Sequence, residues 1–151
     1  MKKLSKQSKS ERKEKLNGSI ELVSEEFIGI RKKLGKTQQE MASLLGGSVK
    51  AVRSYEQGWR HIPAHAQRQA LFLLFFKKGD WGNGKPCWKI IRCPDICKLN
   101  CPAWEFKAGM LCWFINGTIC SGTVQANWTE KIKMCRNCKA FPAVLKNALK
   151  P

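Results

Sequence analysis

Eight cysteines, all between Cys87 and Cys138, are the residues of this 151-residue chain best equipped for chemistry. Thiolates hold zinc, build iron–sulfur clusters or oxidise reversibly to disulfides, and spacing and compartment decide among these. Structural zinc usually draws on short knuckles with two cysteines two residues apart, and only Cys135-x-x-Cys138 has that spacing. Cys87, Cys93, Cys97, Cys101, Cys112 and Cys120 stand further apart, so neither a four-cysteine zinc ribbon nor a ferredoxin-type run can be read directly. Lys89, Arg92, Lys98, Lys133, Arg136 and Lys139 are near them in sequence and favour the thiolate form, while adjacent tryptophans are suited to exclude water. A metal is the first expectation, with zinc ahead of an iron–sulfur cluster because zinc needs no assembly machinery. Redox-active disulfides, and inert thiols in a small aromatic core, are the alternatives.

Compartment bears on that choice. The opening stretch MKKLSKQSKSERKEKLNGS is basic and serine-rich and lacks the apolar centre of a secretory signal. The longest apolar run, Ala70 to Phe76, is far short of a membrane span. The sequence therefore predicts a cytoplasmic protein without a membrane partner, whose thiols are kept reduced, which favours metal ligation over a disulfide framework.

The elements that must position the cysteines divide into two pieces. Residues 1–19 read as a disordered basic arm, 20–79 as a helical domain, and 80–86 as a linker rich in glycine. Residues 87–141 read as a cysteine-rich module and 142–151 as a C-terminal tail. The expected fold class is a mainly α N-terminal domain of about four to five helices, plus a small irregular module with little regular structure. A formal charge of +17, from 28 Lys and Arg against 11 Asp and Glu, makes nucleic acid the first candidate partner, although scattered lysines also serve solubility.

Within 20–79, Ser24 is suited to cap a helix carrying Phe27, Ile30 and Leu34 on one face, and Gly35 ends it. Thr37 and Glu40 form a Thr-x-x-Glu capping box at the head of a second helix, Gln38 to Leu45. Gly46-Gly47 breaks that helix, and Ser48 caps a third, Val49 to Glu56, which Gly58 stops. Pro63 opens a fourth that reaches Phe76 and ends at Gly79. Ala42 is small enough for two helices to cross closely, Gly46 can adopt a left-handed turn, and Met41, Leu45, Val52 and Tyr55 fall at core positions. His61 and His65 are four apart, but Pro63 between them separates their directions, so ordinary loop and helix-face roles are expected.

The string TQQEMASLLGGSVKAVRSYEQG resembles the helix-turn-helix of the phage Cro/repressor (XRE) family, over about Phe27 to Pro63. The resemblance implies that the third helix is a recognition helix for the major groove of double-stranded DNA, and that homodimers bind paired half-sites. Position by position, it makes Val49, Lys50 and Ser54 base-reading residues and Gln38 a phosphate or edge-base contact. Arg53 beside them reaches guanine or phosphate, and Thr37, Gln57 and Arg60 lie near the DNA backbone, with Ser48 at the head of the recognition helix. Arg31 and Glu56 match a partly buried ion pair. Gly47 departs from the pattern, since its turn position is usually apolar.

The dipeptides Cys87-Trp88 and Cys112-Trp113, with the strings CPAWEF and GTICSGTVQANWTEKIKMCRNCKAF, look like the two-CW cysteine module of bacterial sensory and regulatory proteins. That resemblance covers nearly all of Cys87 to Phe141. It makes Cys87, Cys93, Cys101, Cys112, Cys120, Cys135 and Cys138 the candidate ligands and leaves Cys97 as an addition to the pattern.

Both motifs in one chain point to a DNA-binding transcription regulator with a metal- or redox-responsive module. The alternative keeps the DNA binding and makes the module a structural or protein-interaction zinc element. A thiol redox enzyme using Cys135 and Cys138 would need a strand-helix-strand context that the sequence does not offer, so no enzymatic activity and no small-molecule substrate are expected.

Overall fold

The computed structural model describes residues 21–79 and 84–149; the expected basic arm and residues 80–83 of the expected linker lie outside them. The architecture is mainly helical with one two-stranded sheet. Four helices come first: α1 (Ser24–Leu34), α2 (Gln38–Leu45), α3 (Val49–Glu56) and α4 (Ala64–Lys78). Local chemistry sets their ends. The Thr37 hydroxyl accepts the Glu40 backbone N–H at 3.1 Å while the Glu40 carboxylate accepts that of Thr37 at 2.7 Å. Ser48 Oγ accepts the Ala51 N–H at 3.1 Å. Gly46 closes α2 at φ 66°, a left-handed conformation that only glycine adopts without strain. Two boundaries differ from expectation by one residue. Val23 holds the cap position of α1, because the Ser24 hydroxyl instead donates to the Tyr55 carbonyl at 2.7 Å and ties α1 to the end of α3. Pro63 precedes the first residue of α4.

The cysteine-rich stretch has more regular structure than expected. It folds as α5 (Cys87–Ile90), α6 (Asp95–Leu99), α7 (Pro102–Glu105), a hairpin of β1 (Thr118–Cys120) and β2 (Thr123–Gln125), and α8 (Trp128–Arg136). The hairpin is antiparallel, with Thr118 opposite Gln125 and Cys120 opposite Thr123. Pro86, Pro94 and Pro102 sit at the heads of α5, α6 and α7, where a fixed φ and a missing N–H cost a helix nothing. These one-turn helices are too short for a 3.6-residue periodicity to reveal. Residues 142–151, read as a tail, contain α9 (Ala143–Ala148), because Leu145, Ala148 and Leu149 form an apolar stripe at i, i+3 and i+4.

One apolar core runs through both halves. Phe27, Ile30, Leu71, Leu74 and Phe75 belong to the same buried cluster as Trp113, Trp128, Ile132, Phe141 and Leu145. Helix α4 packs against α1 on one side and α9 on another, which explains why its sequence is apolar almost all round. At the centre Gln67 is fully buried and satisfied: its Oε1 accepts from Leu22 N–H and Trp128 Nε1–H at 3.2 and 2.9 Å, and its Nε2 donates to the Ile62 carbonyl at 2.7 Å. Among the described residues no helix is long and apolar enough to cross a membrane.

Candidate functional site

Two places carry candidate chemistry. The first is the outer side of α3. Val52 and Tyr55 point inward, Tyr55 meeting Phe27 edge-on at 5.9 Å between ring centroids, so Lys50 and Arg53 face outward and are exposed. Helix α2 crosses α3 with the buried Ala42 between the Gly46 turn and the core. The Arg31 guanidinium donates to both Glu56 carboxylate oxygens at 2.5 and 3.2 Å, the ion pair the sequence led us to expect. Glu56 also accepts from Gln38 Nε2 at 2.7 Å, and Arg53 Nε lies 3.4 Å from Gln38 Oε1. A polar chain Arg31–Glu56–Gln38–Arg53 thus fixes α3 against the start of α2.

Several of the expected contact residues are already committed within the fold. Thr37 and Ser48 use their hydroxyls as caps, and the Ser54 hydroxyl donates to the Lys50 carbonyl at 2.9 Å. Val49 is half-buried. Lys50, Arg53, Gln57 and Arg60 remain exposed on or just beyond α3, with the Arg60 guanidinium 6.0 Å from the Tyr55 ring centre. His61 and His65 do not combine: His61 pairs with Glu21, as an ordinary loop histidine would.

The second place is a cavity of about 550 Å³ lined by all eight cysteines. Cys97, set aside in the sequence, lines it with the seven expected candidates. Helices α6 and α7 and strand β1 contact one another and bring Cys93, Cys97, Cys101 and Cys120 to one part of the wall. The Ile119 backbone N–H donates to Cys101 Sγ at 3.4 Å. Elsewhere on the wall, Cys87 and Cys112 share a hydrogen bond, and Cys135 and Cys138 stand at the end of α8, where the Ala140 N–H donates to Cys138 Sγ at 3.4 Å. Gly109 makes the first pairing possible: a Cβ there would meet Pro86 at 2.4 Å, and its carbonyl accepts the Cys87 N–H at 3.0 Å. Among the described residues no three Cys, His, Asp or Glu side chains converge tightly enough to hold one metal ion.

Charge inside this cavity is unusual. Lys131 is 1% exposed, lines the wall, and donates from Nζ to Thr118 Oγ1. No carboxylate pairs with it among the described residues. Because Thr118 Oγ1 accepts from Lys131, its own hydrogen is free for Cys120 Sγ, 3.4 Å away. The hydrogen bond from Cys112 lowers the Cys87 thiol to about 7, and the same bond, with burial, raises Cys112, so above about pH 7 the pair holds one proton between them. Burial pushes Cys135 up to about 12 against the pull of Lys131, and burial also raises Cys93. Trp88, Trp104 and Trp113 line the cavity, in keeping with a water-excluding wall, and the indole N–H of the fully buried Trp113 has no partner among the described residues.

Of the basic residues expected to attend the thiolates, Lys98 and Lys139 line the cavity. Arg136 does not. It donates to both Glu26 oxygens at 2.8 and 2.9 Å and to the Glu21 and Leu149 carbonyls, because it lies on the side of α8 that meets α1 and α9. The sequence reading passed over Lys131, although its position four residues before Cys135 on one helix put both on one face. No family model, no curated protein and no solved structure matches this chain.

Proposed function

We propose that this protein is a sequence-specific DNA-binding transcription regulator in which a cysteine module reports a metal or redox state. The observation that carries the DNA-binding half is the polar chain from Arg31 to Arg53. It holds α3 rigidly across α2 while leaving Lys50 and Arg53 outward, as insertion of a recognition helix into a major groove requires. The helix-turn-helix resemblance and the +17 charge support the same reading, with Gln57 and Arg60 on phosphates and a homodimer on paired half-sites. The fully satisfied Gln67 and the Arg136–Glu26 pair join the cysteine half to α1 and α4. A rearrangement around Cys135 and Cys138 therefore has a direct mechanical route to the DNA-binding helices.

The test is selection of an operator from random duplexes, followed by titration of the full chain as prepared, after chelation and after peroxide. Specific binding that changes between these states is expected; equal affinity in all three rejects the reporting half. Replacing Lys50 and Arg53 together with alanine should weaken operator binding at least tenfold, each base contact being worth on the order of 1–3 kcal/mol. Unaltered affinity rejects α3 as the recognition helix.

A second reading, in which the module only staples the fold, draws on the shared core: Trp113 and Trp128 sit in the same cluster as Phe27. In that case metal removal unfolds the protein without a reversible intermediate. A thiol redox enzyme is disfavoured, since Cys135 of the Cys-x-x-Cys pair is buried.

A further inference from the structure

A structural metal ion needs its ligands gathered round one point, whereas two sulfurs side by side are the arrangement for a bond between them. Among the described residues no three Cys, His, Asp or Glu side chains converge tightly enough for a metal, yet the Cys87 and Cys112 thiols share a hydrogen bond on the cavity wall. Local backbone geometry makes that meeting. Gly109 lies so close to Pro86 and Trp88 that a Cβ would fall 2.4 and 2.7 Å from them, and its carbonyl accepts the Cys87 N–H at 3.0 Å. The turn around it, closed by the Leu111 N–H on the Ala108 carbonyl at 2.9 Å, returns Cys112 to the head of α5. We propose that Cys87 and Cys112 are a reversible dithiol–disulfide pair, oxidised by small hydroperoxides that enter the cavity.

The surroundings suit that reaction. A cavity of about 550 Å³ has room for a small hydroperoxide, and both thiols line it and are partly exposed, whereas Cys135 of the Cys-x-x-Cys pair is buried. The charge of the buried Lys131 ammonium reaches both sulfurs. Cys112 donates its hydrogen to Cys87, which makes Cys87 the attacking sulfur. Its lone pair attacks the terminal peroxide oxygen: an S–O bond forms, the O–O bond breaks, and the alcohol leaves with the Cys87 proton. The Cys112 sulfur then attacks the Cys87 sulfenic acid: the S–S bond forms, the S–O bond breaks, and water leaves with the Cys112 proton. Two thiols lose two electrons, and one hydroperoxide is reduced to an alcohol and water.

Cys112 is anchored to the first four helices. Trp113 beside it is fully buried and meets Phe75 of α4 edge-on at 6.0 Å, and Arg68 of α4 donates to the Phe114 carbonyl at 2.6 Å. Closing the pair to a covalent S–S bond draws on this segment and on α4, which packs against α1. The inference rests on the reporting half of the proposed function and names its thiols; formation of the disulfide is measured without DNA.

The reduced full chain, freed of metal by a chelator and desalted without oxygen, is treated with one equivalent of hydrogen peroxide. It should lose two of its eight thiols, digestion without reductant should yield a peptide cross-linked through Cys87 and Cys112, and dithiothreitol should restore all eight. In Cys112→Ser, with folding checked by circular dichroism, dimedone should label Cys87 as the sulfenic acid. A first disulfide between any other two cysteines overturns the proposal. So does oxidation that dithiothreitol does not reverse, or loss of two thiols at the wild-type rate in folded Cys112→Ser. A metal in the chain as isolated that shields both thiols from alkylation overturns it as well. Operator titration of the reduced and oxidised samples separates the two readings: a Cys87–Cys112 disulfide that leaves affinity unchanged removes the reporting function and upholds the pair.

Discussion

Arg136, at the end of the helix that bears Cys135, donates both terminal nitrogens to the two carboxylate oxygens of Glu26 in the first helix, at 2.8 and 2.9 Å. The pair is largely shielded, with side-chain exposures of 19% and 7%; the same two nitrogens also donate to two backbone carbonyls, while Nε has no partner among the described residues. It is a fork-on-fork contact joining the cysteine half to the helices that precede it.

Removing one partner leaves the other charge buried alone. Arg136→Ala should cost about 3 kcal/mol, at the low end for breaking a buried pair. Arg136→Lys should recover little of this, because an ammonium cannot make the planar double contact. Urea unfolding of the full chain measures both; full stability in either variant rejects the clamp.

Leu145 is fully buried where α9 meets α1 and α4. Leu145→Ala should destabilise the protein by roughly 3 kcal/mol through lost burial and the cavity left behind. A loss well under 1 kcal/mol would show that α9 does not hold the core.

The Thr37 backbone N–H, then its hydroxyl, hold the Glu40 carboxyl below its ordinary value of 4.5. A carboxyl depressed in the fold stabilises it fully above 4.5, and that stabilisation is lost as pH falls through the folded value. Wild type should therefore exceed Glu40→Gln in urea resistance near pH 6, with the gap closing as pH falls below 4.5. A gap independent of pH contradicts the capping box.

The Cys87 thiol is held down at about 7 because Cys112 donates to its sulfur. The thiolate is the nucleophile, so Cys87 should be alkylated faster than the buried Cys135 by iodoacetamide at neutral pH, with a rate rising through about 7. Cys112→Ala should move the Cys87 rate profile to higher pH. Peptide mapping of alkylated sites reads this directly, and equal rates at the two cysteines would refute it.

Much of the first half was legible because its signals are local. A capping box, a serine cap and glycines in left-handed turns mark α1 to α3 almost residue by residue, Pro63 and Gly79 bracket α4, and the apolar spacing of Phe27, Ile30 and Leu34 gives the buried face. The second half was harder to read because its order is long-range. One-turn helices behind Pro86, Pro94 and Pro102 carry no periodicity, and the gathering of eight cysteines depends on contacts between α6, α7 and β1. Cys97 looked surplus against a pattern of spacings, yet it faces the same space as the others. Arg136 looked like a companion of the thiolates, since sequence gives proximity along a helix and not which way a side chain turns.

The common core also constrains how the chain is completed during synthesis. Arg136 follows Glu26 by 110 residues. At ribosomal speeds of about 5–20 residues per second, the first helix waits roughly 5 to 20 seconds for its clamp to be made. Until then Glu26 lacks that counter-ion and one flank of α4 stays bare, so the nascent chain spends that interval as a natural client for chaperones.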